Sequence, residues 1–448
     1  MRACFINPPI QDFYSTSIRR QPLGLLYVMA SVKSRGYDVS FINGHSPKKH
    51  EVPVPDELRY LERYRQNDDP RYAFPFKRYQ HFGLSFDEIK LRMRRSDPGI
   101  FFISSLFTPY YRECDRIIQI AKSIKPRAPI VIGGYHAALH PEYYLLSAGA
   151  DFVICGEGEE SSVQLLLALE GKRGLSSVSG LAYRENGAIV RNAARRIGDL
   201  DELPVPAREF LGERDFRAYR KKAVSMISSR GCPHRCAFCT ARVIWGRDLR
   251  ERSVGAVVAE IRECAERYGA GMINFEDDNL FPSRERAVRL LRGLIEFQDE
   301  ARRGLDLTAM NGISIEQLDE DILELMVRAG FRELNISLMS RSDSLQKKQE
   351  RPFDSDRFAR IAGAARKLGM NVRGYFILGL PGQSAGEARD TVHFMNGLGV
   401  RAFPSVYYNV NAPREEWAAQ RSSAFFNETD ELSRDDLVLL FNECMREA

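Results

Sequence analysis

The sequence predicts an α/β protein. A doubly wound, open parallel sheet is followed by a partial (β/α)6 barrel and a short helical C-terminal segment. Three observations carry this expectation. Strand-length apolar runs alternate with helix-length amphipathic runs along most of the 448 residues, the pattern of parallel sheets joined by crossover helices. The strand runs are almost continuously apolar, as in sheets covered on both faces. The alternation restarts in a new register after a Pro-containing stretch at 200–206 (LDELPVP), so it belongs to two units.

Taken in order, ACFIN is the first strand, and PLGLLYVMASVKSRG forms a helix from Pro22 to near Gly36. YDVSFIN is the second strand, GIFFISSLF the third, and YYRECDRIIQIAKSIK a helix. APIVIGG is the fourth strand, HPEYYLLSAG a helix, and ADFVICGEGEE a fifth strand running into a loop and helix. Residues 45–98 read as a polar, Tyr- and Arg-rich insertion that wraps the surface. The first unit is placed at 1–165 and a linker at 166–215. The second unit, 216–410, has strands expected at 223–229, 271–275, 305–310, 331–338, 371–378 and 402–408. Its helices are expected at 253–268, 283–299, 315–329, 354–368 and 384–398. Six strands fall short of a complete eight-fold barrel. Residues 411–448 form the C-terminal segment and end in an amphipathic helix, LSRDDLVLLFNECMREA.

Composition narrows the function. With 44% hydrophobic and 28% charged residues the chain is globular, not disordered. Lys and Arg (65) barely exceed Asp and Glu (60), a net charge of +5 that makes no case for nucleic acid or an acidic membrane. The most apolar stretch, 99–107, is far shorter than a membrane-spanning helix, and MRACFINPPI lacks the features of a signal peptide. A cytoplasmic location is therefore expected. Three of the eight cysteines fall within eight positions, which suits ligand cysteines in a reducing compartment rather than a disulfide scaffold.

Those three, Cys232, Cys236 and Cys239, stand in SSRGCPHRCAFCT with the spacing C-x3-C-x2-C directly after a strand. Three thiolates on one loop can hold three irons of a [4Fe–4S] cluster and leave the fourth iron open to a small molecule. The competing zinc site needs a fourth ligand. His234 lies inside the loop at the wrong spacing, and Cys264 sits on an expected helix as a buried apolar residue.

This loop, after the first strand of a six-unit barrel, resembles the radical S-adenosylmethionine (SAM) superfamily. The resemblance implies that the open iron binds the amino and carboxylate groups of SAM. The reduced cluster then cleaves SAM to methionine and a 5′-deoxyadenosyl radical. NFEDDNLF, at the end of the second barrel strand, matches the position that contacts the SAM amino group. Asp277 and Asp278 are its candidate acceptors. Arg351, in KKQERP, matches a basic residue near the SAM carboxylate, and YFILGLPGQS, with Gly379 and Gly382, matches the strand beside the adenosine. Asn311 and Ser337, at strand ends on the same mouth, are candidate SAM or substrate contacts.

In the first unit, four loops fall at the carboxyl ends of strands, where open parallel sheets bind ligands. They are INPP (Asn7), SSLFTPYY (Ser104, Ser105), GGYHA (Gly133, Gly134, Tyr135, His136) and GEGEE (Gly156, Glu157, Gly158, Glu159). With PLGLLY and LDELPVPAR, this ordered series resembles the Rossmann-like cobalamin-binding domain that precedes the barrel in B12-dependent radical SAM enzymes. The D-x-H-x-x-G signature of many B12 proteins is absent, because Asn43 and Lys48 replace its Asp and Gly. Many members of this subgroup lack it too and bind cobalamin without a histidine below the cobalt. His136 and His140 are the other imidazoles of the region, with surface or loop hydrogen-bonding roles expected.

The resemblance implies a methyltransferase acting on an unactivated carbon, or phosphorus, of a small molecule, with a [4Fe–4S] cluster, SAM and cobalamin as cofactors. It implies a one-electron donor such as flavodoxin or ferredoxin. Cyclisation or rearrangement with the same cofactors, and cobalamin-free radical chemistry with a vestigial first domain, are the alternatives. A tRNA methylthiotransferase would need a second cluster, and Cys4, Cys114 and Cys155 are dispersed. No appended signalling domain supports a sensor. Tyr407, Tyr408 and Trp417 are read as packing residues of the C-terminal region.

Overall fold

A computed structural model describes residues 1–14, 20–66, 68–72, 75–76, 78–218, 221–301 and 304–447. The first sheet has seven strands. Their order is Ala188–Arg191, Leu181–Glu185, Phe152–Ile154, Ile130–Gly133, Ile100–Ser104, Arg2–Asn7 and Asp38–Asn43. The five strands from Phe152–Ile154 to Asp38–Asn43 are parallel. Successive side chains of a strand point to opposite faces, so both faces must be covered. Phe5 packs with Leu26, Met29 and Leu165 on one face, while Cys4 and Ile6 pack with Ile89, Met93 and Ile117 on the other. Helices Leu23–Ser34 and Gly158–Leu169 lie together on the first face, Phe86–Ser96 and Tyr111–Ile124 on the second.

Chain order reverses between Arg2–Asn7 and its neighbour Ile100–Ser104, opening a crevice at their carboxyl ends.

The second unit holds two parallel triplets. Lys221–Met226, Met272–Phe275 and Asp306–Thr308 form one. Glu333–Ser337, Asn371–Leu378 and Arg401–Val406 form the other. Single bridges, Leu307 to Phe331 and Ile313 to Ile336, join them into a partial six-strand barrel. All six strands and the five helices lie where the sequence places them, within a few residues.

Three expectations change. Residues 45–98 do not merely wrap the surface. Leu58, Leu61, Tyr64 and Tyr79 belong to the barrel-side core. Lys49–Glu51 and Gln80–Phe82 make an antiparallel sheet with Ile10–Asp12. Helix Phe86–Ser96, with a Ser85–Glu88 capping box, is a crossover helix whose Ile89 and Met93 are buried. The stretch 166–215 is not simply a linker, because the Leu181–Glu185 and Ala188–Arg191 hairpin closes the sheet edge. Its turn is Asn186–Gly187, both at positive φ, a strong hairpin signal. In 411–448 the α-helix is confined to Arg434–Glu447, and Ala448 lies outside the described residues.

The residues before that helix reach back to the first unit. Trp417 packs edge-on against Tyr111, Tyr143 and His136 and donates Nε1–H to Ala412 O at 3.0 Å. Arg421 donates to Gln11 O (2.7 Å) and Pro109 O (3.1 Å). Among the described residues no helix is long and apolar enough to cross a membrane.

Candidate functional site

The cysteine loop leaves the barrel through a short pairing of Ser229–Arg230 with Arg250–Glu251. Gly231 starts it at φ +93°, and a Cβ there would lie 2.5 Å from Asp248 O, so the position requires glycine. Asp277 holds the base of the loop. Its buried carboxylate accepts from Ser228 N (3.0 Å), Ser228 Oγ (2.8 Å) and Ser229 Oγ (2.6 Å). Burial nonetheless raises its pKa. Ala237 N donates to Gln349 O at 3.0 Å and fixes the middle of the loop.

Cys232, Cys236 and Cys239 are free thiols on this loop. Burial pushes Cys236 up to about 11, opposed by the positive charge of Arg351. Burial raises the pKa of Cys232 and Cys239 as well, and both also feel the Asp278 carboxylate. Arg351 is mostly buried and donates to Glu316 (3.0 Å) and Ser314 Oγ (3.4 Å) beside the loop. Among the described residues no three His, Cys, Asp or Glu side chains converge on a single metal ion. His234 Nε2 lies 3.2 Å from Ser314 Oγ, and Cys264 is buried in the barrel core, so neither completes a zinc site. Three thiols on one glycine-started loop fit a polynuclear cluster, in which each binds a different iron.

A cavity of about 290 Å³ lies between the two units. One wall comes from the strand ends of the first sheet, Asn7, Ser104, Gly133, Gly134, Tyr135, Gly156 and Glu157, and from Gly158 and Glu159 at the start of helix Gly158–Leu169. The other comes from the barrel mouth: Ile227, Arg230, Trp245, Glu276, Asp278 and Asn311. Gly134 has φ +113°, and a Cβ there would meet Ser105 O at 2.5 Å. The bare backbone at Gly133, Gly134, Gly156 and Gly158 lets a large flat ligand approach closely. The buried Arg230 on this wall has an Nε–H without a partner among the described residues, a donor suited to a ligand rimmed with acceptors. These features fit a corrin ring with its amide periphery.

Eleven of the residues singled out from the sequence, Asn7 included, line this cavity, and the others divide by role. Ser105 is buried and bonds Tyr144 OH at 2.8 Å. His136 is fully buried, faces Thr108 Oγ1 at 3.2 Å, and sits among His140 and Trp417; it does not line the cavity. Burial, reinforced by His140, drops its pKa to about 3. Asp277 faces Ser228 and Ser229, not the cavity, while Asp278 faces the cavity. Gly379 and Gly382, both at φ +88°, form a turn against Leu437 and Lys348; Gly379 N donates to Gln383 Oε1 at 2.6 Å. Ser337 is exposed at its strand end on the barrel mouth, away from the cavity. Glu157 and Glu159 wall the cavity and also pair with Arg230 at 2.8 and 2.5 Å.

The sequence reading missed Glu276, Trp245, Tyr27 and His45, all of which line the cavity. Glu276 adjoins the singled-out Asp277 and accepts from Ser225 Oγ at 2.7 Å. His45 keeps the histidine place of the degraded N-G-H-x-x-K stretch, which was its only signal.

Comparison with known proteins agrees with this geometry. Residues 226–395 match the Radical SAM superfamily, and residues 79–166 match the B12 binding domain. The chain is 28% identical over 407 residues to cytidylyl-2-hydroxyethylphosphonate methyltransferase of Streptomyces wedmorensis, covering 84% of this chain and 71% of the relative. It is 28% identical over 320 residues to an uncharacterised methyltransferase of Pyrococcus horikoshii, covering 71% and 68%. In fold it is similar to the radical SAM methyltransferase TsrM of Kitasatospora setae, solved with cobalamin and a [4Fe–4S] cluster (TM-score 0.67, 17% identity, 90% and 74% covered). It also resembles the cobalamin-dependent radical enzyme OxsB (TM-score 0.68, 16% identity, 88% and 51% covered). A cysteine-loop barrel facing a glycine-lined sheet edge agrees with both matches: the chain carries a radical SAM domain preceded by a B12-binding domain.

Proposed function

We propose that the protein is a cobalamin-dependent radical SAM methyltransferase that methylates an unactivated carbon or phosphorus of a small molecule. The observation that carries this reading is the single cavity walled on one side by the first sheet's strand ends and on the other by the barrel mouth. A substrate there lies between the sites of both cofactors. When bound, the cluster and SAM supply a 5′-deoxyadenosyl radical, and cobalamin supplies the methyl group. The chain's own residues bind, orient and exclude water. Cys232, Cys236 and Cys239 hold the cluster, and Arg351 offsets the charge of their thiolates. Asp278 and Glu276 present acceptors to the SAM ammonium from the barrel mouth. Asn311, which donates to Glu276 O at 3.0 Å, fixes that mouth. Ser104 and the bare glycines at 133, 134, 156 and 158 receive the corrin.

A cluster held on the cysteine loop would need a one-electron donor, of the flavodoxin or ferredoxin kind. A cytoplasmic location is supported by free thiols at all eight cysteines.

The test is anaerobic purification and reconstitution with iron, sulfide and hydroxocobalamin, followed by incubation with SAM and a reductant. About four irons and one cobalt per chain are expected, with release of 5′-deoxyadenosine or transfer of a labelled SAM methyl group. Iron without cobalt would reduce the first unit to a scaffold. Zinc in place of iron would overturn the assignment.

A further inference from the structure

Arg230 stands two residues before Cys232, yet its guanidinium belongs to the other unit. It is 2% exposed. Nη1 donates to Glu157 at 2.8 Å and Nη2 to Glu159 at 2.5 Å; Glu157 precedes helix Gly158–Leu169 and Glu159 lies in its first turn. The rings of Tyr27 and Trp245 lie 5.2 and 4.7 Å from the guanidinium carbon. Glu157 is held further by Arg250 Nη1 (2.8 Å) and Ile197 N (2.7 Å). Arg230, Glu157 and Glu159 all wall the cavity.

From this geometry we infer that Arg230 is a positioning residue that couples the cobalamin side of the cavity to the cysteine loop, so that filling one site changes the affinity of the other. This rests on the function proposed above. An occupant that shifts the N-terminus of helix Gly158–Leu169 shifts Glu157 and Glu159. The two charge-assisted bonds tie both carboxylates to one rigid guanidinium, so they carry the displacement to Arg230. Arg230 is joined through Gly231 alone to the first cluster ligand. Binding coupled in this way is reciprocal.

The test measures the SAM Kd of the iron–sulfur-reconstituted protein with and without saturating hydroxocobalamin, and the EPR line shape of the reduced cluster in both states. In the unaltered protein hydroxocobalamin is expected to change the SAM Kd by about 5-fold or more and to alter the line shape. In Arg230→Lys, which keeps the charge but loses the two-point grip, the ratio should fall below about 2-fold, read on protein whose iron and cobalt contents are measured. Should Arg230→Lys fail to fold, Glu159→Gln, which leaves the Glu157 pair intact, should lower the ratio alone. A ratio near one in the unaltered protein, or one unchanged in variants that load both cofactors, overturns the proposal. A protein that takes up neither iron nor cobalamin overturns the function itself, a separable outcome.

Discussion

Asp277 and Asp278 are adjacent and chemically identical, yet the structure gives them different tasks. The strand ends at Phe275, and the turn after it sends Asp277 inward to Ser228 and Ser229 and Asp278 outward to the cavity. Asp277→Ala leaves one buried amide and two hydroxyls without their acceptor and should cost about 2–4 kcal/mol. Urea unfolding measures that cost, and iron content after reconstitution should fall with it. Asp278→Asn should leave stability and iron unchanged and weaken SAM binding, read by equilibrium dialysis. A second buried carboxyl gives the protein a pH dependence. Burial pushes Glu113 up to about 7 from 4.5, with Arg421 opposing. The folded state therefore keeps this proton between about pH 4.5 and 7 while the unfolded chain releases it, so stability declines as pH rises through that window. Across it the loss amounts to about 3 kcal/mol, and Glu113→Gln should flatten that part of the stability–pH curve.

At the scale of elements, the cysteine loop depends on one backbone conformation and the C-terminal segment on one side chain. Gly231→Ala places a Cβ against Asp248 O, a backbone atom that cannot swing aside, in a φ region that disfavours side chains. Iron loading should drop sharply with little change in far-ultraviolet circular dichroism. Trp417 is 4% exposed and packs into the first unit, so Trp417→Ala should cost about 3–5 kcal/mol, seen as earlier thermal unfolding. Helix Phe86–Ser96 shows what pattern reading can miss. Its apolar Phe86, Ile89 and Met93 keep helical spacing, but four Arg or Lys residues in the same stretch mask the signal. The Asn186–Gly187 hairpin was legible in the same local way and passed over inside a stretch read as connection.

For the whole molecule, the buried charges lie mainly between units. Arg230 with Glu157 and Glu159 joins the sheet to the barrel, and Arg421 beside Asp12 joins the C-terminal segment to the N-terminus. Breaking one partner of such a buried pair leaves a charge uncompensated. A ligand filling the cavity bears on both units, so hydroxocobalamin at about a hundred-fold excess over its Kd should stabilise the folded protein by about 2.7 kcal/mol. A thermal scan with and without it measures this.

The sequence by itself determined the two α/β units, the order of their parallel barrel strands and helices, and the cysteine triplet. These rest on local periodicity and on short spacings, which survive in one dimension. Only the tertiary structure decided that Leu58, Leu61, Tyr64 and Tyr79 enter the barrel-side core, that Asp277 braces the loop while Asp278 faces the cavity, and that His136 lies under Trp417. It also decided that Glu157 and Glu159 grip Arg230. Each of these depends on groups far apart in the chain, 71 to 73 positions in the case of Arg230, and no local pattern encodes which of two neighbouring carboxylates will meet them.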